Sequence, residues 1–281
     1  MVTDAYRPLS LADALIFLAE QDCLPVAGGT DLMVQAARGT GVRPNFEKTL
    51  LFIAHLQELQ HIHVTDTGIL IGAAATLTAL LEHEGIPAVF KEILKQMAAA
   101  PTRHMATLAG NIVNASPAGD TLPYLYALDA ELVLRSRDRE RILPVADFIR
   151  GPKQTVREKD ELLTEIRIPA EEFNIQRYRK LGQRKGMSLT KVSFLGLARK
   201  KAGRIEDIRI ALGSVAPRIV RSRNIEERML GKSLTEARTM EPLVRKDYAV
   251  LIVPIDDARS TAQYRKQVSL RLIRDFIENL K

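Results

Sequence analysis

The chain has 281 residues, of which 46% are hydrophobic and 27% charged. That is the profile of a globular protein of about two domains, not of a disordered or collagen-like one. No run approaches the ~18 consecutive apolar residues of a membrane span. Acids (Asp4, Asp13) stand where a secretory leader has its basic region, so no leader is expected. The single cysteine, Cys23, can close no internal disulfide and cannot hold a Cys-ligated zinc or iron–sulfur site within one chain. A reducing, cytoplasmic setting is the expectation. The net charge of +7 is unevenly spread: residues 1–170 carry 16 Lys+Arg against 21 Asp+Glu, and residues 171–281 carry 25 against 13. An acidic front joined to a basic back raises nucleic acid, an anionic ligand or an acidic protein partner as candidates.

Leu11, Ala14, Leu15, Leu18 and Ala19 recur at helical spacing, with Ser10 as N-cap and Asp13 as a capping-box variant. A strand over 23–26 then opens into Ala27-Gly28-Gly29-Thr30-Asp31. Strands are expected over 50–53 and 68–72, a helix from Thr76, and a second helix over 88–98 stopped by Pro101. Residues 107–120, TLAGNIVNASPAGD, are poor in bulky side chains and read as a long loop. A helical pattern returns over 123–128, followed by strands over 131–134 and 166–169. The proline that ends the last of these and the charge shift place a domain boundary near 170–175. Behind it come a Tyr/Arg/Lys run (177–185), strands over 192–199 and 205–212, and helices over 222–230 and 262–280. Mixed strands and helices without steady βαβ alternation favour α+β over a doubly wound sheet.

Two segments carry chemistry. In Ala27-Gly28-Gly29-Thr30-Asp31-Leu32 the glycines let successive backbone N–H groups converge on an anion, and a phosphate or pyrophosphate suits such a loop. A tight turn after a strand accounts for the same residues. In Thr107-Leu108-Ala109-Gly110-Asn111 and on through Ser116 to Asp120, small residues let a ligand lie against the main chain. There Asp120 offers an acceptor for a ribose hydroxyl, although Ser116 and Asp120 would serve equally as N-caps. GxGxxG and the P-loop pattern are both missing. His61-x-His63 has no third ligand near it in sequence, so no metal is expected. Cys23 reads as a small core residue. Arg177, Arg179, Lys180, Arg184 and Lys185 form either a solvated face or a source of cations for a ligand held by the front segment. Aromatics are 5% with no Trp, thin material for base stacking.

Together and in this order, AGGTDL (27–32), TLAGNIVNASPAGDTLPYLYALDAELVL (107–134), DELLTEIRIP (160–169), YRKLGQRKG (178–186) and ALGSVAPRIVR (211–221) resemble the FAD-binding medium subunit of the molybdenum hydroxylases. That family includes the flavin subunits of carbon monoxide dehydrogenase and bacterial xanthine dehydrogenase. The resemblance implies a PCMH-type, vanillyl-alcohol-oxidase-like FAD-binding fold over 1–170, in two α+β subdomains split near residue 55, and a C-terminal α+β domain over 171–281. It also assigns roles. Ala27, Gly28, Gly29, Thr30, Asp31, Leu32, Met33 and Val34 would cradle the pyrophosphate, and Thr107, Leu108, Ala109, Gly110 and Asn111 the phosphate and ribityl region, with Ser116 nearby. Asp120 would meet the adenosine end, Leu162 and Leu163 would flank the adenine, and Lys180 would stand near the isoalloxazine ring. Met187 to Leu189 would approach that ring from the back domain. Two departures stand out: Ala109-Gly110 where the family usually has Gly-Gly, and Gly186-Met187-Ser188-Leu189 where it often has an acidic residue followed by a small or aromatic one.

The implied role is electron transfer, with no catalytic proton-transfer residue in this chain. A molybdenum-cofactor large subunit and an iron–sulfur small subunit would be its partners and NAD or another acceptor its outlet, with no nucleic acid and no membrane span expected. A self-sufficient FAD reductase of the same superfamily, and a basic nucleic-acid-binding or adaptor protein without cofactor, are the alternatives. Yellow colour with flavin absorbance separates the last from the other two.

Overall fold

The computed structural model describes residues 4–37, 39, 41–184 and 186–281, and its first helix forms where the apolar spacing puts it. Strand β1 (Ala5–Tyr6) leads to α1 (Leu11–Glu20), which buries Leu11, Ala14, Leu15 and Leu18 along one face. Ser10 Oγ accepts the Asp13 N–H at 3.1 Å, an N-cap of about 1 kcal/mol. The capping box itself does not close, because the Asp13 carboxylate accepts instead from Leu9 N–H and the Tyr6 hydroxyl, both at 2.8 Å. β2 (Cys23–Val26), α2 (Leu32–Ala37) and β3 (Thr49–Phe52) complete this unit around a parallel sheet of order β1-β3-β2.

A five-stranded antiparallel sheet comes next. It is built from β4 (Ile62–Thr65), β5 (Gly68–Gly72), β6 (Glu131–Arg135), β7 (Glu140–Pro144) and, after a short helix α8 (Val145–Phe148) and hairpin β8 (Ile149–Gly151)–β9 (Gln154–Thr155), β10 (Leu162–Pro169). Its spatial order is β4-β5-β10-β6-β7. Between β5 and β6 the chain makes five helices: α3 (Leu77–Glu82), α4 (Ala88–Lys95), α5 (Ala100–Met105), α6 (Leu108–Val113) and α7 (Leu122–Ala127).

Two expectations change here. Pro101 does not stop the helix expected over 88–98. That helix ends at Lys95, and Pro101 lies in the first turn of α5, where a missing N–H leaves no bond unmade. Nor is 107–120 all loop. Thr107 Oγ1 accepts the Gly110 N–H at 3.0 Å and starts α6, which buries Leu108, Ala109 and Ile112. The cap and this burial outweigh the weak helix propensity of Gly and Asn.

The back half is an antiparallel sheet of β11 (Ile175–Leu181), β12 (Val192–Lys201) and β13 (Arg204–Gly213), followed by α9 (Arg223–Glu227), α10 (Leu234–Leu251) and α11 (Ala262–Glu278). The basic run expected over 177–185 is thus a strand as far as Leu181, while Lys185 lies outside the described residues. The helix expected over 222–230 is only the short α9. The long α10 is unexpected. Ser233 and Glu236 cap it reciprocally, at 3.2 and 2.7 Å, but its inward stripe of Ala237, Val244 and Tyr248 is interrupted by the buried Glu241, and an exposed proline, Pro242, follows it.

Both faces of the back sheet are covered. Along β12, Phe194 and Ala198 join the core under α10 and α11, while Leu195 and Leu197 join the front core. This is the period-two alternation of a strand buried on both sides. Arginines reinforce the junction at the C-terminal end of α7, where free carbonyls and the helix dipole favour cations. Arg209 donates to Ala127 O (2.9 Å), Glu171 (2.7 Å) and Asp207 (2.8 Å), and stacks 4.9 Å over Phe173. Arg221 donates to Tyr126 O (2.5 Å) and Asp129 (2.6 Å), and meets Glu226 at 3.2 Å. Glu226 is only 4% exposed and also accepts the Ile210 N–H at 2.7 Å. Burial pushes its carboxyl up to about 7 despite Arg221.

Glu226 therefore holds its proton more tightly folded than unfolded, where a Glu titrates near ~4.3. Its stabilising contribution is full below that value and is lost as pH rises through about 7. In urea unfolding, Glu226→Gln should flatten the fall in stability between pH 5 and pH 8. Arg221→Ala should cost about 3 kcal/mol or more at pH 8, by leaving a buried carboxylate unpaired, and less at pH 5. Arg223→Ala removes a cation that is 66% exposed at the same Asp129 and should cost under about 1 kcal/mol.

Candidate functional site

A groove of about 920 Å³ runs along the front half and is closed on one side by the back half, within the range of small-molecule sites. Its first wall is the loop after β2. Val26 O accepts the Ile53 N–H at 3.0 Å and ends the strand pairing. At Gly28 the chain presses against the end of α5, so that a Cβ there would stand 1.9 Å from Met105 O. Gly29 takes a left-handed φ of 65°. Among the described residues the backbone N–H groups of Gly28, Gly29, Thr30 and Asp31 have no hydrogen-bond partner. Consecutive free donors beside a left-handed glycine are the arrangement that holds a phosphate. The Asp31 carboxylate accepts from Gln35 Nε2, and Gln35 Oε1 accepts from Lys153 Nζ at 2.6 Å, which sets a cation beside the loop. Gln35 Nε2 also reaches Asn114 Oδ1 at 3.2 Å.

The second wall is α6 and the turn after it, and its polar side chains mostly serve the fold. Thr107 caps α6. Asn111 Oδ1 accepts from the Thr121 hydroxyl at 2.7 Å, and Ser116 Oγ accepts the Ala118 N–H at 3.3 Å. The Ala109 methyl is buried in the core, so this departure from Gly-Gly is absorbed by packing. At one end of the groove Asp120 accepts from Lys180 Nζ at 2.7 Å and from the Thr190 hydroxyl at 2.5 Å, and Lys180 also donates to Gln96 O at 2.9 Å. Burial pushes the Asp120 carboxyl up, while Lys180 and Thr190 draw it down without cancelling the rise.

Nearly all residues named from the sequence line this one groove: Ala27 to Leu32, Val34, Thr107, Ala109, Gly110, Asn111, Ser116, Asp120, Leu162, Leu163, Lys180 and Leu189. Met33 and Leu108 do not. Met33 is exposed on α2, and Leu108 is fully buried inside α6, because both segments are helical and turn alternate side chains away. The resemblance places Asp120 at the adenosine end and Lys180 at the ring end; in the structure the two form one ion pair at 2.7 Å. Lys153, Arg157, Thr190, Met97 and Arg259 also line the groove and were not singled out from the sequence. They come from separate elements, and only the fold brings them together.

The donor set fits FAD. A row of free N–H groups suits a pyrophosphate, apolar Leu162 and Leu163 suit an aromatic base, and a partly apolar mouth at Met187 and Leu189 suits a flavin ring. Residues 1–171 match the family model described as the FAD binding domain in molybdopterin dehydrogenase, and residues 177–280 that of the CO dehydrogenase flavoprotein C-terminal domain. The glyceraldehyde dehydrogenase medium chain of Sulfolobus acidocaldarius is 29% identical over 267 residues, covering 93% of this chain and 92% of its own. The carbon monoxide dehydrogenase medium chain of Hydrogenophaga pseudoflava is 27% identical, covering 96% and 93%. Among solved structures, a chain of the reconstituted CO dehydrogenase from Oligotropha carboxidovorans superposes with a TM-score of 0.87 at 25% identity, covering 98% of this chain and 96% of its own. With its FAD-binding model spanning more than half its length, the chain belongs to the FAD-binding medium-subunit family of the molybdenum hydroxylases.

Proposed function

We propose that this chain is the electron-relay subunit of a molybdenum hydroxylase complex, taking electrons from iron–sulfur clusters of one partner and delivering them to NAD or another acceptor. The observation that carries this reading is the groove itself, whose walls come from both halves and include a row of N–H donors without partners among the described residues. FAD, when bound, supplies the conversion between paired and single electrons. The chain's own residues bind and orient. Gly28 to Asp31 hold the pyrophosphate, with Lys153 as the adjacent cation. Asp120, Lys180, Thr190 and Leu189 form the ring end. Leu24, Pro25, Leu162 and Leu163 form the adenosine end. Asp120 and Lys180 neutralise each other at 2.7 Å, so what this pair offers the ring is a fixed dipole and hydrogen-bonding atoms, with no net charge.

The division of labour rests on cysteine content. A cluster needs about four cysteine ligands and the chain has one, Cys23, which is buried. The iron–sulfur relay therefore lies outside these 281 residues, and the reading assigns it to a partner subunit and substrate oxidation to a molybdenum-cofactor subunit. A cytoplasmic complex fits this reading, and no helix among the described residues is long and apolar enough to cross a membrane.

Expressed alone and given FAD, the chain should show flavin absorbance bands and no turnover of oxidisable substrates. Robust substrate oxidation by the lone chain would overturn the subunit assignment in favour of a self-sufficient reductase. From native expression it should copurify with molybdenum and iron in fixed ratio. Gly28→Ala should lower FAD affinity by about tenfold or more, since the added methyl must displace backbone at Met105 and with it the donor row. Fluorescence titration of the full chain reads this directly, and an unchanged affinity would remove the glycine loop from the site.

A further inference from the structure

Among the described residues four cations line the groove, and three have evident employment. Lys180 is neutralised by Asp120 at 2.7 Å and Arg259 by Asp257 at 2.6 Å, while Lys153 donates to Gln35 beside the glycine loop. Arg157 differs. Its Nη1 donates to Glu161 O at 2.6 Å and Glu158 O at 3.1 Å, and its Nε and Nη2 meet no acceptor among the described residues. The neighbouring Glu161 carboxylate is occupied elsewhere: Arg141 binds both its oxygens, at 2.6 and 2.7 Å, Arg139 binds one at 3.1 Å, and the Glu158 N–H donates to it at 2.8 Å. Among the described residues no carboxylate pairs with Arg157.

This guanidinium is partly buried and held in place. Burial draws it below the usual arginine range, with Glu161, Asp160 and the Cys23 thiol acting in the opposite direction, and it stays charged. The turn that carries it is fixed by the Glu161 N–H donating to Glu158 O at 3.2 Å and by the two arginines on the Glu161 carboxylate. A half-desolvated planar cation with two donor groups free is costly unless a ligand completes it. Rigidity makes such a group selective, because little ordering remains to be done on binding.

Its place along the groove indicates which part of the ligand it meets. The bond to Glu161 O sets Arg157 beside Leu162, and it lines the groove with Leu24 and Pro25, near the start of β2. The glycine loop lies at the other end of that four-residue strand, roughly 13 Å away at ~3.3 Å per residue. The pyrophosphate belongs to the loop, so Arg157 stands beside the nucleoside that the pyrophosphate carries. Each edge of an adenine ring offers a single ring-nitrogen acceptor, which one arginine N–H can meet.

We propose that Arg157 recognises the adenine of FAD, donating from Nε or Nη2 to a ring nitrogen of the base, and so makes the site select FAD over FMN. This role rests on the orientation of FAD proposed above. The test is titration of the full-length chain, as wild type, Arg157→Ala and Arg157→Gln, with FAD and FMN by fluorescence and with ADP as competitor. FAD affinity should fall about tenfold or more in both variants, the ADP competition by a similar factor, and FMN affinity should not change. Gln can still donate to Glu161 O, which supplies a folded variant should the alanine one fail. Equal weakening of FAD and FMN would reduce Arg157 to a scaffold residue, and unchanged FAD affinity would overturn the proposal. A wild-type chain that binds FAD while the variants behave like it refutes only this inference; a wild-type chain that binds no flavin overturns the site reading beneath it.

Discussion

Arg209 and Arg221 enter the front half at one place, the C-terminal turn of α7, and the geometry of the site depends on that docking. Each guanidinium donates to a carbonyl at the helix end, Ala127 O or Tyr126 O, and ties it to carboxylates on both sides of the junction. Buried arginine–carboxylate networks add modestly to stability, but breaking one member is expensive. Their effect here is registration. The groove has the glycine loop and α6 on one side and Lys180, Leu189 and Thr190 on the other. A small rotation between the halves would pull Asp120 from Lys180 and open the end of the site. The Ser214 N–H, which donates to Pro117 O at 2.8 Å, pins the same junction from the opposite side.

The charge asymmetry takes on a different meaning in this light. Much of the basic excess of the back half is internal wiring. Arg209, Arg221, Arg223, Arg259 and Arg265 all meet carboxylates, some of them in the acidic front half. A chain whose arginines are consumed in this way presents less of a track for a polyanion than the excess of 25 cations over 13 acids suggests. On the proposed reading, the pyrophosphate of FAD is met chiefly by backbone dipoles of the glycine loop.

What the sequence reveals and what it hides divide along physical lines. The glycine loop is legible because only glycine tolerates both the backbone of Met105 at Gly28 and the left-handed turn at Gly29. The α1 helix is legible because four buried residues recur at helical spacing. Helix α6 is hidden because its stability comes from one threonine cap and from tertiary burial of Leu108, Ala109 and Ile112 among weak helix formers. Helix α10 is hidden because Glu241 is buried on its inner stripe beside a proline. The pairing of Asp120 with Lys180 could not be read at all, since 60 residues and a strand crossing separate them. Arg157 belongs to the same class: nothing local marks an arginine whose carboxylate neighbour is already taken.

The Asp120–Lys180 contact also constrains how such chains can diverge. Each residue sits in a different half, and each is the other's only carboxylate or ammonium partner among the described residues. Replacing one alone strands a buried charge, so substitutions at these two positions must arise together or through a neutral intermediate at both. Recombination is limited in the same way. A hybrid joining the front half of one family member to the back half of another keeps a formed groove only if the incoming half brings the matching member of the pair.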